Sequence, residues 1–487
     1  MTRRLMLTGL AVGLAFAGLA AQGDYDVAAS RQLAGATLVY GRSFEYVREL
    51  TDTFGARLTG TAGYERAAAW AAAQFRAAGI ANVATETFTI ERSWERGSAR
   101  ARVVAPIDRS LHVQSLGWTP STPEGGMEAE VALVTGIGPG TIAGDASLAG
   151  RIALVDPPDA GGDAAQRFSL RQQLAARLRA AQAIAMLSPD GAPDNVLAAR
   201  SGGSGTGIGV LPAAQIGRED AALVRRLLGQ GPVRLAIDWH NRISPGPAQV
   251  SNIVAELRGR ERPDEWVIVG AHLDSWDLAT GAQDNATGVA MVLDAARAIA
   301  ALPTRPRRSI RFALWGGEEQ GLLGSLAYVA AHAGELARCV ATINTDGGSG
   351  RVRGFFTPGR EDVAAAMRPL SRALLSDLGA AGLDPSMRYA FQTDVGPFIL
   401  HGIPALDLDP DDVPYERVHH KANDVLDNVN RHDLSVGAAA VAIAAYAIAD
   451  APRPIAAALD RPGVGRMLVG AGLDRVLQLR GWWTPGP

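Results

Sequence analysis

The chain has 487 residues, 47% of them apolar and 20% charged, which suits two or three globular domains and excludes a disordered or collagen-like chain. A formal net charge of −3 excludes a nucleic-acid binder held by bulk positive charge. Lys421 is the only lysine, so nearly all positive charge is arginine, and Cys339 is the only cysteine, which excludes any intramolecular disulfide.

Taken in chain order, Arg3 and Arg4 precede an apolar run from Leu5 to Leu19 and a small-residue patch at Ala20 and Ala21. That layout predicts a signal peptide over 1–21, with export to the periplasm or medium and no membrane contact once it is cleaved. The apolar run is shorter than the ~20 residues a spanning helix needs, and no later segment is expected to reach that length. Val27 to Phe54 has helical periodicity, and "TAGYERAAAWAAAQFRAAGI" predicts an amphipathic helix closing on Gly79. "ANVATETFTIER" alternates as a strand does.

From Leu111 to His240 short strands such as "AEVALV", "RIALVDPP", "AIAMLSP" and "GIGVLPAAQI" lie between glycine- and proline-rich turns, with few helical stretches. The expected organisation is therefore a first part of the main domain over 22–110, a β-rich insert over 111–243 and the rest of the main domain over 244–487. The glycine run "SGGSGTGIG" has no strand leading into it, and reads as a loop rather than a phosphate cradle.

Beyond Ser251, strands alternate with helices: "EWVIVGAHLD", "SIRFALWGG", "CVATINTDGG" and "IPALDLDPD" as strands, with helices between them and a closing helix from Leu434 to Ala449. This predicts an α/β fold with a mainly parallel sheet covered on both faces, whose site lies at the carboxyl ends of the strands. Those ends carry His272 and Asp274, then Asp284 at a helix start, the adjacent pair Glu318 and Glu319, Asp346, and farther on His419 and His420. Singly each has an ordinary role, Asp284 as a helix N-cap or Asp346 as a turn residue. Together at one sheet edge, they form a donor set suited to divalent metal, and too large for a single catalytic zinc with its three protein ligands. Two ions sharing a carboxylate account for the surplus.

"HLDSWD", "GAQDNATG", "GGEEQG", "NTDGG" and "HHKAND", in this order, resemble the motifs of the zinc-dependent exopeptidases that include bacterial leucyl aminopeptidases and glutamate carboxypeptidases. The "HLDSWD" wording is most like the plasma glutamate carboxypeptidase branch. The resemblance covers the mature chain and implies that 111–243 is a protease-associated insert. It further implies two zinc ions per chain, with cobalt or manganese also suited to the ligands. His272 and Asp346 would hold one ion, Glu319 and His420 the other, and Asp284 both. Asp274 would orient the His272 imidazole, and Glu318 would be the general base for a metal-bridging hydroxide attacking a peptide carbonyl. The ligand histidine stands four residues before Asp424, which selects His420 over His419. Relatives carry tyrosine where this chain has His419, so an imidazole there would take over oxyanion stabilisation. Asp394 is the candidate partner for a substrate amine, with a turn residue as its ordinary reading.

The expected function is an exported exopeptidase acting on dipeptides or short peptides, or as a broad aminopeptidase of the same family, with homodimerisation favoured by the resemblance. A single-zinc acyltransferase of glutaminyl cyclase type, or a receptor-like relative without activity, would lack ligands or the base that this chain retains. The closing "LQLRGWWTPGP" is expected to pack its tryptophans against the body.

Overall fold

The computed structural model describes residues 25–138, 141–144, 148–155, 164–203 and 205–485; the leader expected at 1–21 lies outside the described residues. The chain begins with helices α1 (Val27–Leu38), α2 (Ser43–Glu49) and α3 (Ala62–Ala77). Thr61 caps α3, its side chain accepting from the Tyr64 N–H at 3.3 Å, and Gly79 ends it at φ +86°, a left-handed turn that only glycine enters without strain. The edge strand β1 (Asn82–Ile90) follows, its exposed residues alternating with more buried ones from Thr85 on.

A second sheet then begins at β2 (Trp94–Ala105), upstream of residue 111, and continues through β3 (Arg109–Leu111), β4 (Val113–Ser115), β5 (Met127–Gly138), β6 (Thr141–Gly144) and β7 (Ile152–Val155). Helix α4 (Ala164–Ala180), β8 (Ala185–Pro189), β9 (Ala213–Ile216), α5 (Arg218–Leu228) and β10 (Arg234–Ile243) complete it. Its order is β3-β2-β10-β5-β7-β8-β9-β4, with β6 on β5 and parallel pairing only from β5 to β9. The described residues of "SGGSGTGIG" form neither strand nor helix.

The main sheet comes from β1 together with β11 (Ala248–Leu257), β12 (Arg262–His272), helix α6 (Thr287–Ala300), β13 (Arg308–Trp315), α7 (Leu323–Ala331) and β14 (Cys339–Asn344). It continues with β15 (Val352–Phe356), α8 (Glu361–Leu374), β16 (Gly382–Asp384), α9 (Gly396–Leu400), β17 (Ala405–Pro410), α10 (Val413–Val418) and α11 (Arg431–Asp450). The order is β1-β11-β13-β12-β14-β17-β15-β16. Pairings are parallel through β13-β12-β14-β17 and at β15-β16, and antiparallel at β1-β11, β11-β13 and β17-β15, so a parallel majority carries antiparallel flanks. The expected parallel character belongs to the central strands, whose two faces are both covered; the unanticipated β11 and β15 supply the antiparallel flanks.

In β12, Val267, Val269 and Ala271 enter the core under α6 and α11, while Trp266 and Ile268 enter the smaller core under α7 and α9. The two-residue period of a strand makes both cores from one run. Helix α11 is long and apolar enough on composition to cross a bilayer, contrary to expectation, but it lies in the main core with nearly all of its length buried. Nor does it close the chain: α12 (Arg461–Gly470) and α13 (Asp474–Leu479) follow, and Trp483 is buried against them, as the tail was expected to be.

Phe312, fully buried on β13, meets Phe75 of α3 at 6.2 Å between ring centroids. Replacing it with alanine is expected to lower unfolding free energy by about 3–5 kcal/mol in a denaturant titration, against less than about 0.5 kcal/mol for Val469→Ala at the surface.

Candidate active site

Parallel β12, β13 and β14 deliver their carboxyl ends to one edge, and the donors gather there. His272 is the last residue of β12, Glu318 and Glu319 lie in the turn after β13, and Asp346 stands two residues beyond β14. Asp284 comes from the segment before α6, and His419 and His420 follow α10. Gly317 takes φ +73° in the glutamate turn, which lets the chain reverse within a few residues of the strand.

Asp284 is central. Its Oδ1 is 3.2 Å from His272 Nε2, and its Oδ2 is 3.3 Å from His420 Nε2 and 3.8 Å from His419 Nε2. His272 Nε2 also meets Asp346 Oδ1 at 3.3 Å, and His420 Nε2 meets Glu319 Oε2 at 2.8 Å. The ordinary reading of Asp284 as a helix cap does not hold, because α6 has no side-chain cap from it. Two sets of donor atoms, His272–Asp284–Asp346 and Asp284–His419–His420, each lie within 4.8 Å of one another. His419 thus stands in the second set with His420, while Glu319, expected there, reaches it through its contact with His420.

Asp274 does more than stand beside His272. Its backbone carbonyl meets His272 Nδ1 at 2.9 Å, and its carboxylate Oδ1 is 3.7 Å from the same nitrogen. The carboxylate, fully buried, accepts the backbone N–H of Glu318 at 3.2 Å and of Glu319 at 3.3 Å, and the Thr59 hydroxyl at 2.8 Å. It therefore holds the glutamate turn in place. Asp424 does the same for the bridging position, accepting the N–H of Gln283 at 2.7 Å and of Asp284 at 3.1 Å.

Asp394 does not line the cavity. It is 1% exposed and accepts the Ser325 hydroxyl, while neighbouring Thr393 faces the open space. Sequence reasoning also missed Arg57, fully buried, whose guanidinium donates to the carbonyls of Gly55, Leu273, Thr280 and Gly281 at 2.7–3.0 Å. It ties both loops that carry His272 and Asp284, and one arginine in "TFGARLTG" offers no signal of that. Tyr415, stacked on His419 at 4.7 Å, was likewise unmarked.

Crowded carboxylates shift one another. Burial raises the Glu318 carboxyl well above the usual range, opposed by His272 and reinforced by Asp346 and Glu319. Burial raises Glu319 likewise, with Asp284 adding to it. Burial works to lower His272, but Asp346, Asp274 and Asp284 outweigh it and raise the imidazole well above its ordinary value. Asp284, despite burial, is held low, chiefly by the hydrogen bond from His272. Burial depresses His419 and His420, keeping both rings neutral and free to act as ligands. Asp284 Oδ2 and Glu319 Oε1 are buried without a hydrogen-bond donor. Buried, unsatisfied carboxyl oxygens facing imidazoles fit divalent cations.

The site opens into a cavity of about 400 Å³, with the carboxylates and both His419 and His420 on its wall. A fold with this strand-end donor set defines a metallohydrolase. Residues 252–445 match the model of peptidase family M28. The chain is 30% identical over 419 residues to carboxypeptidase Q of Bos taurus, covering 85% of this chain and 87% of that one, and 29% identical to that of Homo sapiens over the same shares. It is similar to the crystal structure of a peptidase M28 precursor from Shewanella amazonensis, with TM-score 0.77, 28% identity and coverage of 88% and 98%. A zinc aminopeptidase from Bacillus subtilis shares the fold, with TM-score 0.64, 23% identity and coverage of 86% and 98%. The chain belongs to peptidase family M28, the metallopeptidase class its motifs led one to expect.

Asp394 yields a pH test. Burial raises its pKa from 3.8 to about 8, so the folded protein keeps a proton that the unfolded chain releases near 3.8. The group's stabilising contribution is full below 3.8 and is lost as pH rises toward about 8. Asp394→Asn removes that slope. Its thermal unfolding midpoint is expected to fall less between these pH values than the wild-type midpoint does, and parallel curves would refute the assignment.

Proposed function

We propose that the protein is a two-zinc exopeptidase acting on dipeptides or short peptides. The observation that carries this is the division of Asp284, whose two oxygens face different histidines. His272, Asp346 and Asp284 Oδ1 would hold one ion, and Glu319, His420 and Asp284 Oδ2 the other, with His419 beside the second. Two zinc ions so held would supply Lewis acidity for the scissile carbonyl and lower the pKa of a nucleophilic water toward neutrality. Cobalt and manganese suit the same donors.

The chain's own residues do the rest. Glu318 stands on the cavity wall beside Glu319 yet contacts none of the histidines, so it is free to take a proton from water and pass it to the leaving amine. Its raised pKa suits a group that must both accept and release. Asp274 fixes the turn on which both glutamates ride. His419, braced by the Tyr415 ring, is the imidazole donor toward the carbonyl oxygen as charge develops there. Asp394 stays behind the wall, so the substrate amine requires another partner, and Asp407 on the wall is the buried carboxylate that remains.

The second sheet corresponds in this reading to the protease-associated insert, set over 111–243 by sequence and extended upstream to Trp94 by pairing of β2 with β10. Export after cleavage of residues 1–21 and assembly as a homodimer complete the reading.

Zinc-loaded, dialysed protein should contain two zinc ions per chain by elemental mass spectrometry, and His420→Ala about one; a wild-type count of one would remove the shared-carboxylate arrangement. Glu318→Gln should keep both ions and lose about 10²–10⁴ of peptidase activity. Near-normal turnover by that variant would reassign the base. Release of residues one by one from the amino end of long peptides would make the same site a broad-specificity aminopeptidase.

A further inference from the structure

His420 takes φ +59°, the left-handed region that a side chain with a β-carbon enters only at a cost, so neighbouring structure must hold it there. Part of that hold is local. The Lys421 N–H donates to the Val418 carbonyl at 2.8 Å, and Lys421 Nζ donates to the carbonyls of Glu416 and Arg417. The rest comes from the second sheet. The Ala199 N–H donates to the His420 carbonyl at 2.6 Å, and Ala198 forms an isolated antiparallel bridge with Lys421. Ala199 is buried in one cluster with Trp94, Trp118 and Trp276, and the Trp276 ring meets the His420 ring at 6.0 Å between centroids. The His420 carbonyl and Cβ are joined through one Cα, so a contact that fixes the carbonyl also aims the imidazole. That imidazole meets Glu319 at 2.8 Å and Asp284 at 3.3 Å.

Asp190, the residue after β8, places Ala198 and Ala199. It is 5% exposed, and its Oδ2 accepts the Ala198 N–H at 2.9 Å and the Gln215 side-chain amide at 3.0 Å, while Oδ1 accepts the Ala192 N–H at 2.9 Å. Its own N–H donates to the Ile216 carbonyl at 2.9 Å, so Asp190 is fastened to β9 through both Gln215 and Ile216. Farther along the same loop, Asn195 Oδ1 accepts the N–H groups of Glu219 and Asp220 at the start of α5, each at 3.1 Å. The loop is thus pinned to the frame of the second sheet at both places, and Asp190 holds the residue next to Ala199. Hydrogen bonds to a buried carboxylate are strong, and removing the acceptor leaves buried N–H groups unpaired.

We propose that Asp190 is a positioning residue for the metal position at His420: through Ala198 and Ala199 it keeps His420 in the left-handed conformation that aims its imidazole at Asp284 and Glu319. The inference rests on the two-zinc reading and adds an asymmetry to it. One metal position depends on a loop of the second sheet, whereas His272, at the other, is placed by β12 and by the Asp274 carbonyl. Asp190 touches no metal ligand itself and acts only through the backbone of the loop.

The test measures zinc affinity of the full chain, by competition with a chromophoric chelator, in two backgrounds that each keep one metal position. His272→Ala leaves the position at His420, and His420→Ala leaves the position at His272. Adding Asp190→Ala is expected to weaken zinc about 10- to 100-fold in the first background, the range for residues that support a metal ligand, and to leave the second unchanged. Asp190→Asn, which has the same shape but one acceptor oxygen, should recover part of the lost affinity. Equal weakening in both backgrounds makes Asp190 a residue of general stability and overturns the proposal, as does an unchanged affinity in the first. If Asp190→Ala does not fold, Asp190→Asn decides in the same two backgrounds: weakening confined to the first supports the proposal, and none overturns it. If the wild type binds a single ion, the two-zinc reading fails on its own. Asp190 is then judged on that ion, where weakening by both Asp190→Ala and His420→Ala supports the proposal, and weakening by one of them or neither overturns it.

Discussion

The organising constraint is mutual repulsion among carboxylates brought together out of water. Asp274, Asp284, Glu318, Glu319 and Asp346 converge at one sheet edge, and two unsatisfied oxygens remain on Asp284 and Glu319. Such a group is stable only with protons or cations among it. Without metal, the protein answers with raised carboxyl pKa values and a protonation-prone His272. The same repulsion is what makes the place attractive to divalent ions, so the strain on the polypeptide and the affinity for metal have one origin.

Holding that geometry needs support from distant chain segments. Arg57 joins the two ligand-bearing loops through four carbonyls, and Asp274 and Asp424 each grip a pair of backbone amides. These contacts fix backbone rather than side chains, so two carboxylates outside the expected ligand set act as clamps. The second sheet joins in as well. Arg96 of β2 forms a two-pronged pair with Asp277, Trp118 meets Trp276 edge-on at 6.2 Å, and the Ala199 N–H donates to the His420 carbonyl at 2.6 Å. The second sheet therefore braces both the first ligand loop and the last.

Much of the site was legible because strand-end residues are close in sequence to an apolar run that announces itself. His272, Asp284, Glu318, Glu319, Asp346, His419 and His420 all fell where periodicity and motif order put them. Asp394 was misjudged because sequence gives proximity along the chain but not the side of the wall on which a side chain lies. Arg57 and Thr59 were invisible for a related reason: each belongs to a segment distant in sequence, and its residue type has no pattern until folding chooses its neighbours. The flanking strands β11 and β15 were passed over because antiparallel neighbours leave no crossover helix to mark them.

By itself the sequence determined the alternation of strands and helices, the chemical types gathered at their ends and the membership in a metallopeptidase family. Periodicity and short-range spacing carry those properties, and both are written along a single line. Tertiary structure alone decided that Asp284 divides its oxygens between two histidines, that Asp274 clamps a turn, and that Arg480 from the chain's end shares a cavity with residues near position 284. Those are matters of direction and long-range approach, set by how the two sheets and the last helices pack, and the chemistry of a shared site depends on both.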